Sequence, residues 1–456
     1  MFNKIMQKFS YIINILLLLL FTACSTNRHL DLVKSKKEVI RHIIHMGQSL
    51  GEGAQSLPLV TDYNTGFNNF RFSMGTHTWT YNMYPDTPEL RADGNFLFVP
   101  LTAVQRNGLG ETIANGMCDH LTQTLEKDFA EKNHFLFSYA GQGGKYIREL
   151  NKRHDEAKDP RAESRRTKGG YYITSIDDVR RAKKMADSLC MDYSVFAITW
   201  MQGEANGTRM YNRWDSVHTL QDAILTYKND LIQLKSDYQE DIKTITGQKN
   251  VIPFFTYQTA GNLAGIAQLK SCDQEKDMYM VGPTYMLPNA SNSYYHAGGR
   301  LVHGDGIHLT ADGERWLGEQ FGKVMRKVIV EKKSWQPLQP VGAWYEKKEN
   351  AIYVRFNVPK PPLVIDTLFL PKQDEGFGFD IYNKSKTKYS IKNVEVVGND
   401  LLKILMADFI PTKDSLLISY GLLPKVADVS QNIKAIRTGM KRSDGHDAIE
   451  IEFEGE

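Results

Sequence analysis

The chain has 456 residues, 41% hydrophobic and 24% charged, a globular composition that excludes a disordered polymer. A net charge of +3 gives no electrostatic case for a nucleic-acid binder. The sequence holds no CxxC pair and no HExxH, so neither a structural nor a protease-type zinc site is expected.

The first element is an apolar run, Ile12 to Phe21, broken only by Asn14, preceded by Lys4 and Lys8 and followed by Phe21-Thr22-Ala23-Cys24. A basic start, a short apolar core and small residues at the cut are the parts of a secretory signal. Ten residues cover about 15 Å of helix against a hydrocarbon core of about 30 Å, too short for a span. The Thr-Ala-Cys ending resembles a bacterial lipoprotein signal. That resemblance implies removal of residues 1–23, lipidation of Cys24 and a tether over 24–36. It also implies a lipid-anchored protein of the bacterial cell envelope. Ser25, rather than Asp, resembles the outer-membrane sorting pattern. With Cys24 lipidated, Cys118, Cys190 and Cys272 allow at most one disulfide and leave one thiol over. Cys118 and Cys190 lie beside apolar neighbours in helical patterns, and buried free thiols are the expected reading.

From 37 to 332, short apolar runs alternate with amphipathic stretches, the pattern of βαβ units around a parallel sheet. The strand candidates are Val39 to Met46, His134 to Tyr139, Tyr193 to Trp200, Val251 to Tyr257 and Met278 to Gly282. Helical patterns cover Glu111 to Phe129, Ile176 to Leu189, Leu220 to Leu234 and the segment after Thr310, which is placed to cap it. A three-layer α/β/α domain is expected. Residues 54–108, rich in Gly, Asn and aromatics, read as a long loop beside a pocket, and 148–170 as a solvated charged arm.

After Ser334-Trp335-Gln336-Pro337 the pattern becomes short and strand-like, at Ala351 to Val358, Leu363 to Leu370, Phe377 to Tyr382, Val394 to Val397, Leu401 to Met406 and Leu416 to Tyr420. A C-terminal β-sandwich over 336–456 is the expectation.

Three segments carry candidate chemistry. Gly47-Gln48-Ser49 follows the first strand, where a Ser on a strand-to-helix turn can present its hydroxyl and its N–H to one space. Gln202-Gly203-Glu204 follows the strand ending at Trp200, with Gln202 able to donate to an oxyanion and Glu204 suited to anchoring a loop. Asp305 and His308 lie just before the last α/β helix, spaced so that a carboxylate can orient an imidazole whose other nitrogen accepts a proton. His303, Asp305 and His308 could instead form a metal cluster, although no further ligand motif stands nearby. Ala140 to Lys145 lacks the Walker spacing and is not a phosphate loop.

With these segments in hand, residues 39 to 330 resemble the SGNH (GDSL-like) hydrolase superfamily, in particular its carbohydrate O-acetylesterase branch of sialate O-acetylesterase-like and acetylxylan esterase-like enzymes. The resemblance implies a flavodoxin-like α/β/α fold and no metal or other cofactor. It implies Ser49 as nucleophile, His308 as base, Asp305 as its orienter, and an oxyanion hole from Ser49, Gly143 or Gly144, and Gln202. The implied partner is an acetylated carbohydrate, with the membrane reached through the lipid anchor. Two positions depart from the family pattern: Leu50 stands where Asn usually follows GQS, and Lys145 where Thr or Ser follows the glycine pair. These departures, with the appended sandwich, keep open a carbohydrate-binding lipoprotein on an inactive hydrolase scaffold. A deacylase for a lipid or aryl ester is the third reading, and the polar insertion at 54–108 argues against its greasy acyl pocket.

Overall fold

The computed structural model describes residues 38–78, 94, 96–105, 109–125, 132–153, 170–209, 220–260, 262–284, 286–290, 294–295, 301–302, 307–366, 375–383, 385, 387–411, 416–420 and 451–453. Seven strands form the main sheet: β1 (Glu38–Gly47), β2 (Phe70–Phe72), β3 (Phe98–Pro100), β4 (Lys132–Tyr139), β5 (Asp192–Met201), β6 (Phe254–Gln258) and β7 (Met278–Pro283). Their spatial order is β3-β2-β4-β1-β5-β6-β7. All pairings are parallel except β2 with β3 at the edge. The run β4-β1-β5-β6-β7 has the 2-1-3-4-5 order of the flavodoxin-like arrangement, whose ligand crevice opens where the connections leave β1 in opposite directions.

Alternation along the strands explains the layers. Ile43 and Ile44 of β1, Ala197 and Ile198 of β5, and Phe254 and Phe255 of β6 send neighbouring side chains into two separate cores. One core is closed by α1 (Ile113–Leu125) and by the final helix of this region. The other is closed by α2 (Tyr171–Ser188), α4 (Leu220–Thr246) and α5 (Leu263–Gln274), with the short α3 (Glu204–Arg209) between α2 and α4 in sequence. The final helix, α6 (Ala311–Met325), starts at Thr310, whose side chain accepts the Gly313 N–H at 3.1 Å. Each fully buried Phe or Leu in these layers stabilises the fold by roughly 1.5–3 kcal/mol relative to exposure.

The insertion at 54–108 differs from a plain loop, because β2 and β3 extend the sheet. Phe70, Phe72 and Phe98 pack on one another there, with Phe72 fully buried. Residues 79–93 and 106–108 of that insertion, and 154–169 of the charged arm, lie outside the described residues. Cys118 is a buried free thiol as expected, and Cys272 is also free. Cys190 is a correction on both counts: it is disulfide-bonded, not a free thiol, and it sits exposed at a turn after α2 with φ of 56°, because the helix has ended two residues earlier.

Residues beyond 338 are sheet-rich. After the small pair β8 (Tyr294–Tyr295) and β9 (Leu301–Val302) come β10 (Gln339–Glu346), β11 (Ala351–Asn357), β12 (Phe379–Asn383), β13 (Lys388–Tyr389), β14 (Ile391–Val396), β15 (Leu401–Met406), β16 (Leu416–Tyr420) and β17 (Ile451–Phe453). They form two antiparallel sheets, β10-β11-β15-β14 and β13-β12-β16-β17. Ile352, Val354 and Ile404 of the first share one core with Ile381 and Ile418 of the second. At the changeover, the Trp335 indole N–H donates to the Met280 carbonyl at 2.7 Å.

Candidate active site

Three strand ends are tied into one platform by backbone contacts. The Gln48 N–H donates to the Met201 carbonyl at 2.9 Å, joining the end of β1 to that of β5. The Gln142 N–H donates to the Gly47 carbonyl at 3.2 Å, joining β1 to the loop after β4. The approach at Gly47 is so close that a Cβ there would lie 2.2 Å from the Met201 carbonyl oxygen, so only glycine fits. The Tyr139 hydroxyl lies 3.1 Å from both the Gly47 and the Gln48 carbonyls, beneath the turn that carries Ser49. The Gln48 side chain completes the join by accepting the Ala205 N–H at 3.1 Å.

On this platform Ser49 is partly exposed and faces Gly143. A Cβ built on Gly143 would lie 3.2 Å from the Ser49 Cβ. Gly144 follows in a left-handed conformation, φ of 72°, with open space around it. His308 reaches the same region on the segment before α6. Its carbonyl accepts the Ala290 N–H at 2.7 Å, and the next carbonyl, of Leu309, accepts the Ser56 hydroxyl at 2.8 Å. The segment bearing His308 is thereby held to the loop that follows Ser49. Asp305 and Cys24 lie outside the described residues, as do His303 and the rest of 303–306.

Two carboxyls lie within electrostatic reach of His308. Glu204 accepts the Tyr257 hydroxyl, and burial raises its pKa despite that bond and the charge of His308. Glu52, one turn after Ser49, accepts the Gly143 N–H at 2.7 Å. Burial of its carboxyl pushes its pKa up to about 7, against the lowering effects of that N–H and of His308. Sequence reading passed over Glu52. Its position three residues after Ser49 was visible, but its partner is 91 residues away.

Gln202 stands differently from its expected part. It is fully buried, and its amide nitrogen donates to the Lys145 carbonyl at 3.0 Å and to Asn206 Oδ1 at 2.6 Å, while its amide oxygen accepts the Tyr227 hydroxyl at 2.9 Å. Both amide hydrogens are engaged inside the scaffold, so donation to a reacting oxygen would require breaking one of these bonds. Gln202 fixes the loop bearing Gly143 and Gly144. The ammonium of Lys145, the departure noted above, pairs with Glu149 at 3.5 Å.

A hydroxyl, a backbone N–H and an imidazole carried on three loops at one sheet edge are the parts needed for acyl transfer. Among the described residues no group of three or more His, Cys, Asp and Glu gathers as a metal site.

No protein-family model and no curated protein matches the chain. Among solved structures, XAC1771, a carbohydrate acetylesterase from Xanthomonas citri, is similar over 91% of this chain and 80% of its own, at 12% identity and a TM-score of 0.51. NanS is similar over 66% of this chain and 100% of its own, at 13% identity and a TM-score of 0.41. Est24, a carbohydrate acetylesterase from Sinorhizobium meliloti, is similar over 63% and 98%, at 14% identity and a TM-score of 0.29. The first likeness is one of fold, a mixed α/β sheet with helices followed by a sheet-rich C-terminal region, and the other two carry no further weight.

Proposed function

We propose that the chain is a metal-independent serine esterase that removes O-acetyl groups from a carbohydrate, held to the cell envelope through a lipid on Cys24. The observation that supports the reading is the meeting of Ser49 with Gly143 at the C-terminal ends of β1 and β4, with His308 within electrostatic reach of Glu52, which holds the Gly143 N–H. Ser49 Oγ attacks the ester carbonyl while His308, oriented by Asp305, takes the hydroxyl proton. The carbonyl oxygen becomes negative and is met by the N–H groups of Ser49 and of Gly143 or Gly144. One such donor is worth about 3 kcal/mol in the transition state. Collapse of the tetrahedral adduct breaks the bond to the sugar oxygen, which leaves with the proton from His308. Water then attacks the acyl-enzyme with His308 again as base, and acetate is released.

The test is acetate release from a panel of acetylated glycans and a small acetyl ester, comparing the purified protein with its Ser49→Ala variant. Release that disappears in the variant is expected, and equal turnover by both proteins would overturn the mechanism. A second reading, carbohydrate binding on an inactive scaffold, is favoured by one observation: the Gly143 N–H is already held by Glu52. Glycan binding by calorimetry with no acetate released from any ester would select it.

A further inference from the structure

The Gly143 N–H is one of the donors named for the proposed reaction, and it is in use. Glu52 Oε2 accepts it at 2.7 Å, and a Cβ on Gly143 would meet that same oxygen at 3.0 Å and the Ser49 Cβ at 3.2 Å. The carboxylate therefore stands beside the nucleophile, on the donor to which an ester carbonyl oxygen would come. It is a built contact, because the Glu52 backbone is fixed at both ends. Its N–H donates to the Gln48 carbonyl at 3.0 Å, and its carbonyl lies 2.9 Å from His77 Nε2. We infer that Glu52 gates this site: its carboxylate holds the Gly143 N–H in place of the substrate's carbonyl oxygen, and the ester binds productively only when that carboxylate is neutralised and released.

The inference rests on the esterase reading and adds a residue to it. Its physics is a comparison of two bonds. An ionised, enclosed carboxylate keeps a backbone N–H strongly, because a charge-assisted hydrogen bond is about twice as strong as a neutral one and its loss would leave the charge unmet. The same charge also repels the negative oxygen that forms on attack by Ser49. Once Glu52 has taken a proton from water, both effects vanish and the N–H can turn to substrate. The groups that set its ionisation come from several elements. Burial raises the carboxyl's pKa, while the Gly143 N–H after β4 and His308 before α6 lower it; Tyr139 at the end of β4 lies within reach of its charge, and His77 contacts the Glu52 backbone. Lys145, two residues past Gly143, is paired with Glu149. With the carboxyl at about 7, the neutral fraction falls about tenfold between pH 6 and pH 8.

The experiment measures kcat/KM on a small acetyl ester at pH 6 and pH 8 for wild type, Glu52→Gln and Ser49→Ala, with circular dichroism to verify folding. The expected result is a pH 6 to pH 8 ratio about tenfold larger in wild type than in Glu52→Gln, since every other group is common to both. A Ser49-dependent activity whose ratio is the same in both proteins overturns the gate and leaves the esterase standing. Absence of Ser49-dependent activity at either pH overturns the esterase reading and the gate with it. A second readout needs no turnover. In protein labelled with 15N-glycine, the Gly143 amide resonance moves with a midpoint near pH 7 in wild type and stays still in Glu52→Gln. An amide that does not titrate in wild type also overturns the gate.

Discussion

Replacing Gly47 by alanine tests whether the joined strand ends hold the site. The added Cβ would lie 2.2 Å from the Met201 carbonyl oxygen and 2.8 Å from its carbon, both backbone atoms that no side-chain rotation can move aside. Restoring ordinary contact requires the ends of β1 and β5 to part by about 1 Å, at overpacking costs of about 1–3 kcal/mol. The hydrogen bond from the Gln48 N–H to the same Met201 carbonyl is strained or lost as well, adding about 1 kcal/mol. Ser49 lies two residues past Gly47, so the displacement reaches the nucleophile, and misplacement by about 1 Å costs about a hundredfold in rate. Urea denaturation and kcat/KM on a small acetyl ester measure the two effects. Gly342→Ala in β10 is the control, since a Cβ there meets nothing within 4 Å, and it should stay within about 0.5 kcal/mol of wild type. Gly47→Ala with the stability and turnover of that control would refute the reasoning.

Gln202→Ala should act on stability. It strips partners from the Lys145 carbonyl, Asn206 and the Tyr227 hydroxyl, for a loss of about 2–4 kcal/mol in chemical denaturation. An unchanged denaturation midpoint with turnover down a hundredfold would instead make it an oxyanion donor. Acid should unfold the chain through His42 and His45, both fully buried and pushed down to about 3 by burial. Their folded values lie below the unfolded 6.5, so the stability they contribute is complete above pH 6.5 and is lost as pH falls towards 3. Glu52 has the opposite sign: its folded value lies above the unfolded one, so it lowers stability as pH rises from about 4.5 to 7 and is silent below that range. Between pH 4.5 and 3.5 the two histidines therefore act without that offset and together remove about 2.7 kcal/mol. A denaturant midpoint that does not fall across this unit of pH would contradict their neutral burial, and His45→Gln should halve the fall.

What the sequence disclosed depended on the range of the interactions involved. β1, β4 and β5 are near-continuous apolar runs, because helices cover both faces of the sheet, and such runs are readable without partners. The glycines at 47, 143 and 203 are readable for a related reason, since each stands where a strand ends and the backbone must turn or pass close by. β2 and β3 are three residues each and gain their place only by pairing with distant chain, so an aromatic-rich stretch read as loop. The amide of Gln202 suits an oxyanion and a scaffold equally well, and the choice lies with Tyr227, Asn206 and the Lys145 carbonyl, which no local pattern reveals. Glu314 makes the same point. In sequence it is a favourable acidic residue in the first turn of α6, whereas the fold buries it with neither carboxylate oxygen hydrogen-bonded.

The central position of β1 has a consequence for how the chain is made. The strand that leads to Ser49 is the first of the sheet to be synthesised, yet Val39 pairs with Asn133 on one side and Asp192 on the other. Its two edges must wait for about 90 and 150 residues of chain, a long loop closure that slows folding and leaves an apolar strand open to wrong partners meanwhile. A nascent chain released before residue 201 would carry the proposed nucleophile on an incomplete sheet. Ser49 would thus acquire its surroundings late, as one of the last products of folding.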